Sequence, residues 1–223
     1  MGPVIGEILP LAIGVTISPL PIIAAILMLL SPHARRTSLG FLVGWLAGIV
    51  IAVTVFTLVS SLIPATDPSA SQPIAGVIKI VLGVLLLLLA VKQWRSRPKP
   101  GEDAALPKWM AAIDTMTVGR GLALGFVLAA VNPKNLIMAA SAGTAIGLAA
   151  LDVGPTIVAI VIFTVIAGAS VAVPVIAYLV ASDKLSATLE SLRVWLVGNN
   201  AAIMAVLLLV IGVSQIGKGI GSF

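Results

Sequence analysis

Lys134 is the residue whose type and position have the clearest chemical consequence. It stands in the stretch AVNPKNLIMA (130–139), inside an apolar run over about 118–148 whose only other charge is Arg120 near the start. A helix rises about 1.5 Å per residue, which puts Lys134 more than about 20 Å from either end of that run. A lysine stem does not snorkel that far, and ionisable groups at such depth face a cavity or a partner. No Asp or Glu lies deep in any apolar stretch, Glu7 standing close to one end. The partners left are unwound carbonyls, amide side chains, water or an anionic ligand, with a structural lysine bonded to the broken helix as the alternative. Asn132 and Asn135 flank it and can cap two half-helices or touch a ligand. Pro133 removes a backbone donor and frees a carbonyl upstream, as do Pro19 and Pro21 in TISPLPIIAA (16–25). Ser18 can bond its own helix or a ligand.

Other chemistry is excluded by composition. The 223 residues contain no Cys and a single His, His33, so disulfides, thiol relays, Cys-ligated zinc, iron–sulfur clusters and multi-His metal sites are not expected. With no Ser/His/Asp set, no carboxylate pair in a span and no phosphate-cradling Gly loop, an enzyme is not expected either, nor a cofactor. Hydrophobic residues make up 60% and charged residues 9%, against about 25% charged in a soluble domain. The chain therefore belongs in a membrane, and its net charge of +5 is read as topology rather than as a nucleic-acid surface.

Six stretches are long and apolar enough to span a bilayer: about 4–31, 38–63, 74–95, 118–148, 155–181 and 195–217. The first and fourth are long and contain proline, including Pro10, which implies tilt or a break. The N-terminus has no basic n-region and carries Glu7, so the first span is expected to be retained. Ten of the thirteen Lys/Arg fall in the first, third and fifth loops: Arg35, Arg36, Lys92, Arg95, Arg97, Lys99, Lys108, Arg120, Lys184 and Arg193. The second and fourth loops hold only Asp67 and Asp152. The positive-inside rule then places both termini outside, with Trp94, Trp109 and Trp195 at the cytoplasmic boundary.

Several features have a mundane reading beside a functional one. Leu106, Trp109, Met110 and Ile113 have the spacing of an amphipathic helix on the inner leaflet, in a loop that otherwise serves as a tether. Leu185, Leu189, Leu192 and Leu196 follow Ser182-Asp183, a helix-capping pair leading into the last span. Arg35 and Arg36 are explained by topology, with lipid-headgroup contact as the alternative. Lys79 snorkels near the outer boundary, where Glu7 can pair with it, or contacts a headgroup. Asn199 and Asn200 open the last span near the interface. The ridges Gly40, Gly44, Gly48, Ala52 and Gly121, Gly125, Ala129 suit close helix packing, within one chain or at a homodimer seam.

Self-comparison reveals a duplication. Aligning Ser18-Pro19 with Asn132-Pro133 gives an offset of 114, and VLLLLLAVKQ (84–93) matches VLLLVIGVSQ (206–215) at six of ten positions. Both halves read as broken span, Gly-rich span and Leu-rich span. Three spans per half force opposite orientations, so an all-α membrane protein with six helices in an inverted three-plus-three repeat is expected, its first and fourth helices broken. The units are 1–95, a basic cytoplasmic loop at 96–117, and 118–223.

The S-P-L-P of the first span, the N-P-K of the fourth and this repeat resemble the lysine-exporter (LysE) superfamily. Within it, ISPLPIIAAILML, the Arg-containing first loop and the basic middle loop are similar to the GAP family of glycopeptidolipid- and sulfolipid-addressing proteins. The resemblance implies transport at the plasma membrane, with Ser18, Pro19, Pro21, Asn132, Pro133 and Lys134 in the path. The superfamily's thiol-relay branch has a cysteine before each of these prolines, where this chain has Ser18 and Asn132, so that chemistry is lost. Three readings follow. The first is translocation of an anionic or glycosylated lipid to the cell surface, favoured because no intramembrane carboxylate is present to meet an amino group, metal or proton. The second is export of an amino acid or cation. The third is an accessory subunit of a larger lipid exporter, docked through the basic loop.

Overall fold

The computed structural model describes residues 1–63, 73–97, 110, 113 and 115–223, without the side chains of 181–185. Asp67, Lys99, Leu106, Lys108 and Trp109, and the side chains of Ser182, Asp183, Lys184 and Leu185, lie outside that description. Among the described residues the chain is helical and has no strand: α1 (Gly2–Thr16), α2 (Pro19–Leu29), α3 (Ala34–Ser61), α4 (Pro73–Arg95), α5 (Val118–Ala130), α6 (Pro133–Leu148) and α7 (Val153–Ile220). Apolar helices are what such a sequence must form in lipid, because only intrahelical bonds satisfy the backbone there. Four stretches, α3, α4, Val153–Val180 and Ser186–Ile220, are each long and apolar enough to cross a bilayer. The pairs α1–α2 and α5–α6, bent by 49° and 60°, bring the number to six if each pair is one span. The chain is thus built as a multi-pass membrane protein.

Both bends come from the same local cause. α2 begins at Pro19 and α6 at Pro133, so each proline occupies the first helical position, where a missing N–H costs nothing and the fixed φ starts a new helix. Pro21 lies in the first turn of α2. Pro10, in contrast, stays inside α1 without ending it.

Helical backbone continues through all 68 residues of α7, yet the chain doubles back within it. Thr16 donates from its hydroxyl to Ile166 O, and a Cβ on Gly14 would meet Ile211 Cδ1. Ile166 and Ile211 would lie about 68 Å apart on a straight helix, so the two spans of α7 return to the same part of α1.

Small residues set the closest contacts. A Cβ on Gly40 would lie 2.6 Å from Val118 O, one on Gly44 would collide with Leu122 O, and one on Gly125 with Phe41 O. The ridges on α3 and α5 therefore pack on each other, in parallel and within one chain, which leaves them closed to a second copy. Farther along α3, Gly143 and Gly147 of α6 approach the backbone at Val53 and Thr57 in the same way. α4 meets the last span antiparallel, Gly83 against Gly212 and Gly76 against Gly219. Met110 and Ile113 are buried in the hydrophobic core. These two members of the middle loop's apolar set thus face protein rather than the membrane surface, because the core offers them full burial.

Candidate functional site

The breaks create a specific shortage of hydrogen bonds. In an unbroken α1, Gly14 O would accept from Ser18 N. Instead Ser18 N turns to Thr16 O at 2.8 Å, and Pro19 has no N–H to offer Val15 O. At the second break the equivalent carbonyl, 114 positions on, is Leu128 O. Its donor, Asn132 N, turns to Val127 O at 3.2 Å. Two carbonyls at matched positions are thereby stripped of their helical donors, in a region where an unpaired backbone group costs several kcal/mol.

Side chains next to Pro133 supply the missing donors. Lys134 Nζ donates to Gly14 O at 2.6 Å and also to Ser18 Oγ. Asn135 Nδ2 donates to Leu128 O at 2.9 Å, while its Oδ1 accepts from Ser18 Oγ at 3.2 Å. Asn132 caps α6, its Oδ1 accepting from Lys134 N at 3.1 Å. Of the two asparagines only Asn132 acts as an end cap; Asn135 restores a carbonyl in the preceding half-helix. Ser18 bonds across to α6 rather than to its own helix.

Lys134, Asn135 and Ser18 are 4%, 1% and 3% exposed, so this network is shut off from bulk solvent. The ion pairs among the described residues are Lys79–Glu7 and Arg193–Glu190, and neither includes Lys134. The amine is held by a carbonyl and a hydroxyl at the C-terminal end of α1, where the helix dipole is negative.

A cavity of about 200 Å³ opens beside it. Ser18, Pro19, Leu20 and Pro21 on the first turn of α2 line it, as do Asn132, Pro133 and Lys134 at the start of α6. Two helix N-termini and a lysine thus border one space, an arrangement suited to an anion. The rest of the wall comes from Leu89, Lys92 and Gln93 on α4, from Ser96 just after it, and from Asn200, Met204 and Leu208 on the last span. Lys92, Lys134, polar groups and apolar side chains line it together; among the described residues no carboxylate does. Described residues offer no His/Cys/Asp/Glu group able to hold a metal.

Of the residues expected in the path, Ser18, Pro19, Pro21, Asn132, Pro133 and Lys134 meet at this cavity, and Asn135 lies buried behind it. The suggested headgroup contacts lie elsewhere. Arg35 and Arg36 are exposed at the start of α3. Lys79 pairs with Glu7 at 2.9 Å beside Lys218, away from the breaks. Sequence reading missed Lys92 and Asn200, which counted only as a topology marker and an interface residue, and gave Gln93 and Ser96 no role. A signal was available: Leu89, Lys92, Gln93 and Ser96 fall at i, i+3, i+4 and i+7, and Asn200, Met204 and Leu208 at i, i+4 and i+8, each on one helix face.

A family model described as Sap, sulfolipid-1-addressing protein, matches residues 8–221 of the chain. The match runs through both breaks, the cavity-lining residues and the four long apolar stretches. Neither the curated proteins nor the solved structures contain a match.

Proposed function

Because the chain belongs to the sulfolipid-1-addressing protein family, we propose that it translocates an anionic, glycosylated lipid across the plasma membrane for delivery to the cell surface. The observation behind this reading is Lys134: a buried amine with no carboxylate partner among the described residues, at the wall of a cavity bordered by two helix N-termini. An anionic headgroup supplies the missing countercharge. At about 200 Å³, the cavity is smaller than the roughly 300–1,000 Å³ of sites that enclose drug-sized ligands. It takes a headgroup, while the acyl chains stay in lipid and need no cavity.

We read the two halves as an inverted repeat of the kind found in the lysine-exporter superfamily. Supporting this are breaks at positions 114 apart, orphaned carbonyls at Gly14 and Leu128, and paired small-residue contacts between the third and sixth spans. In this arrangement both termini face outward, Lys92 and Ser96 mark the cytoplasmic mouth of the cavity, and the chain performs no covalent chemistry.

The test is Lys134→Met in cells that make the lipid. Loss of the lipid from the surface, with expression unchanged and the lipid retained inside, is the expected outcome. A silent Lys134→Met together with loss on neutralising Arg97, Lys99 and Lys108, which leaves the buried Met110 and Ile113 in place, would overturn the site and favour an accessory subunit docked through the basic loop. Efflux of labelled amino acids by reconstituted protein would instead favour a small-solute exporter.

A further inference from the structure

A second cavity, open and of about 420 Å³, lies near the other end of α4 and the last span. Pro3, Gly6 and Glu7 of α1 line it, with Lys79 of α4 and Lys218 and Gly221 at the end of the chain's last span. Lys79 precedes Leu89 of the first cavity by ten residues on α4, a separation of about 15 Å along the helix. Between the two, a Cβ on Gly14 would lie 2.6 Å from Ile211 Cδ1 and 2.7 Å from Met138 Sδ, so α1, α6 and the last span pack tightly there. The two spaces are therefore distinct sites.

Two lysines and one glutamate give the described lining a net charge of +1. Lys79 Nζ lies 2.9 Å from Glu7 Oε1, yet that enclosed oxygen has no aligned hydrogen bond among the described residues. An ammonium carries three donors, so Lys79 can bond a ligand while staying beside the carboxylate. Lys218 has no ion pair among the described residues. No bulky side chain fills the space at Gly6, where a Cβ would meet nothing within 4 Å. We infer that Lys218 and Lys79 bind the monoanionic ester group, sulfate or phosphodiester, of a lipid in the adjoining leaflet. One negative charge neutralises this lining, whereas a dianion overshoots it. Lysines close to the ends of membrane-crossing helices stand at headgroup depth, so the acyl chains remain in lipid. The site goes beyond the proposed function, because it holds whether or not the Lys134 cavity takes an anion. With both termini outside, it serves the outer leaflet.

Calorimetry with octyl sulfate on the full chain in nanodiscs of neutral lipid tests this, with Lys134→Met as the background that removes the lysine of the first cavity. That variant is expected to keep binding octyl sulfate. Adding Lys218→Gln, which removes a charged hydrogen-bond donor, should weaken binding about tenfold. Gly6→Leu places bulk in the cavity and leaves the charges alone; it should weaken binding to a similar degree in protein that stays monodisperse on gel filtration. Glu7→Gln raises the net charge and should tighten binding about threefold. A Lys134→Met chain that binds no octyl sulfate, or Lys218→Gln and Gly6→Leu chains that bind it unchanged, overturns the second site. Displacement by equimolar sodium sulfate overturns the lipid assignment, since a free anion then suffices. Equal stoichiometry in the native and Lys134→Met chains counts against an anion at Lys134 and leaves Lys79 and Lys218 as the binding site.

Discussion

Lys134, Asn135 and Ser18 share one network but are expected to differ on substitution. Asn135→Leu leaves Leu128 O without a donor, so it should lower stability by about 2 kcal/mol and reduce yield of folded protein, measured by thermal unfolding in detergent. Lys134→Met also strands a carbonyl, Gly14 O, but removes a buried amine whose own desolvation is expensive. The two effects oppose each other, and the variant should keep its unfolding midpoint within a few degrees of native while losing lipid delivery. Were Lys134→Met to unfold the protein as readily as Asn135→Leu, the lysine would be a structural donor only. The distinction was partly legible beforehand. Depth and the lack of carboxylates singled out Lys134, but which carbonyls it and Asn135 serve depends on where α1 ends in space.

The helices are held together by glycine. On α3 and α5, Gly40, Gly44, Gly121 and Gly125 let backbones approach until a Cβ would strike a carbonyl of the partner helix. Lipid supplies no hydrophobic drive between helices, so such close contact is what binds them. Gly44→Leu meets a backbone carbonyl that cannot move aside and should cost about 3 kcal/mol or more, read as loss of folded, monodisperse protein in gel filtration. Gly6→Leu, with open space around it, should be tolerated in the same assay. Four-residue spacing announced these ridges in the sequence. It left open whether they met within a chain or between chains, and the answer came from α3 and α5 running parallel with matched glycines. In the same way, proline predicted a break in two spans, but Pro10 and Pro19 differ in effect because only Pro19 opens a new helix.

At the scale of the molecule, the proposed orientation is open to direct measurement because the chain lacks cysteine. Single cysteines can be introduced at Ser222 and at exposed Arg36 without a background to remove. With both termini outside, Ser222→Cys should react with a membrane-impermeant maleimide in intact cells and Arg36→Cys only after lysis. The reverse result would turn the whole topology over, and with it the side on which the Lys92 mouth of the cavity opens.

The sequence by itself determined that the chain lives in a bilayer, how many apolar stretches it has, where two of them break, and that a lone lysine stands at one break. These follow from composition, helical rise and the missing N–H of proline, all of which are local. It could not determine that Lys134 crosses to Gly14, that α7 folds back to bring Asn200 and Leu208 to α2, or that Gln93 shares a cavity with them. Those contacts join residues 70 to 190 positions apart, and they depend on which helix faces pack together. Only the tertiary structure decides that, because an apolar face in lipid has no preferred partner until small residues and orphaned carbonyls select one.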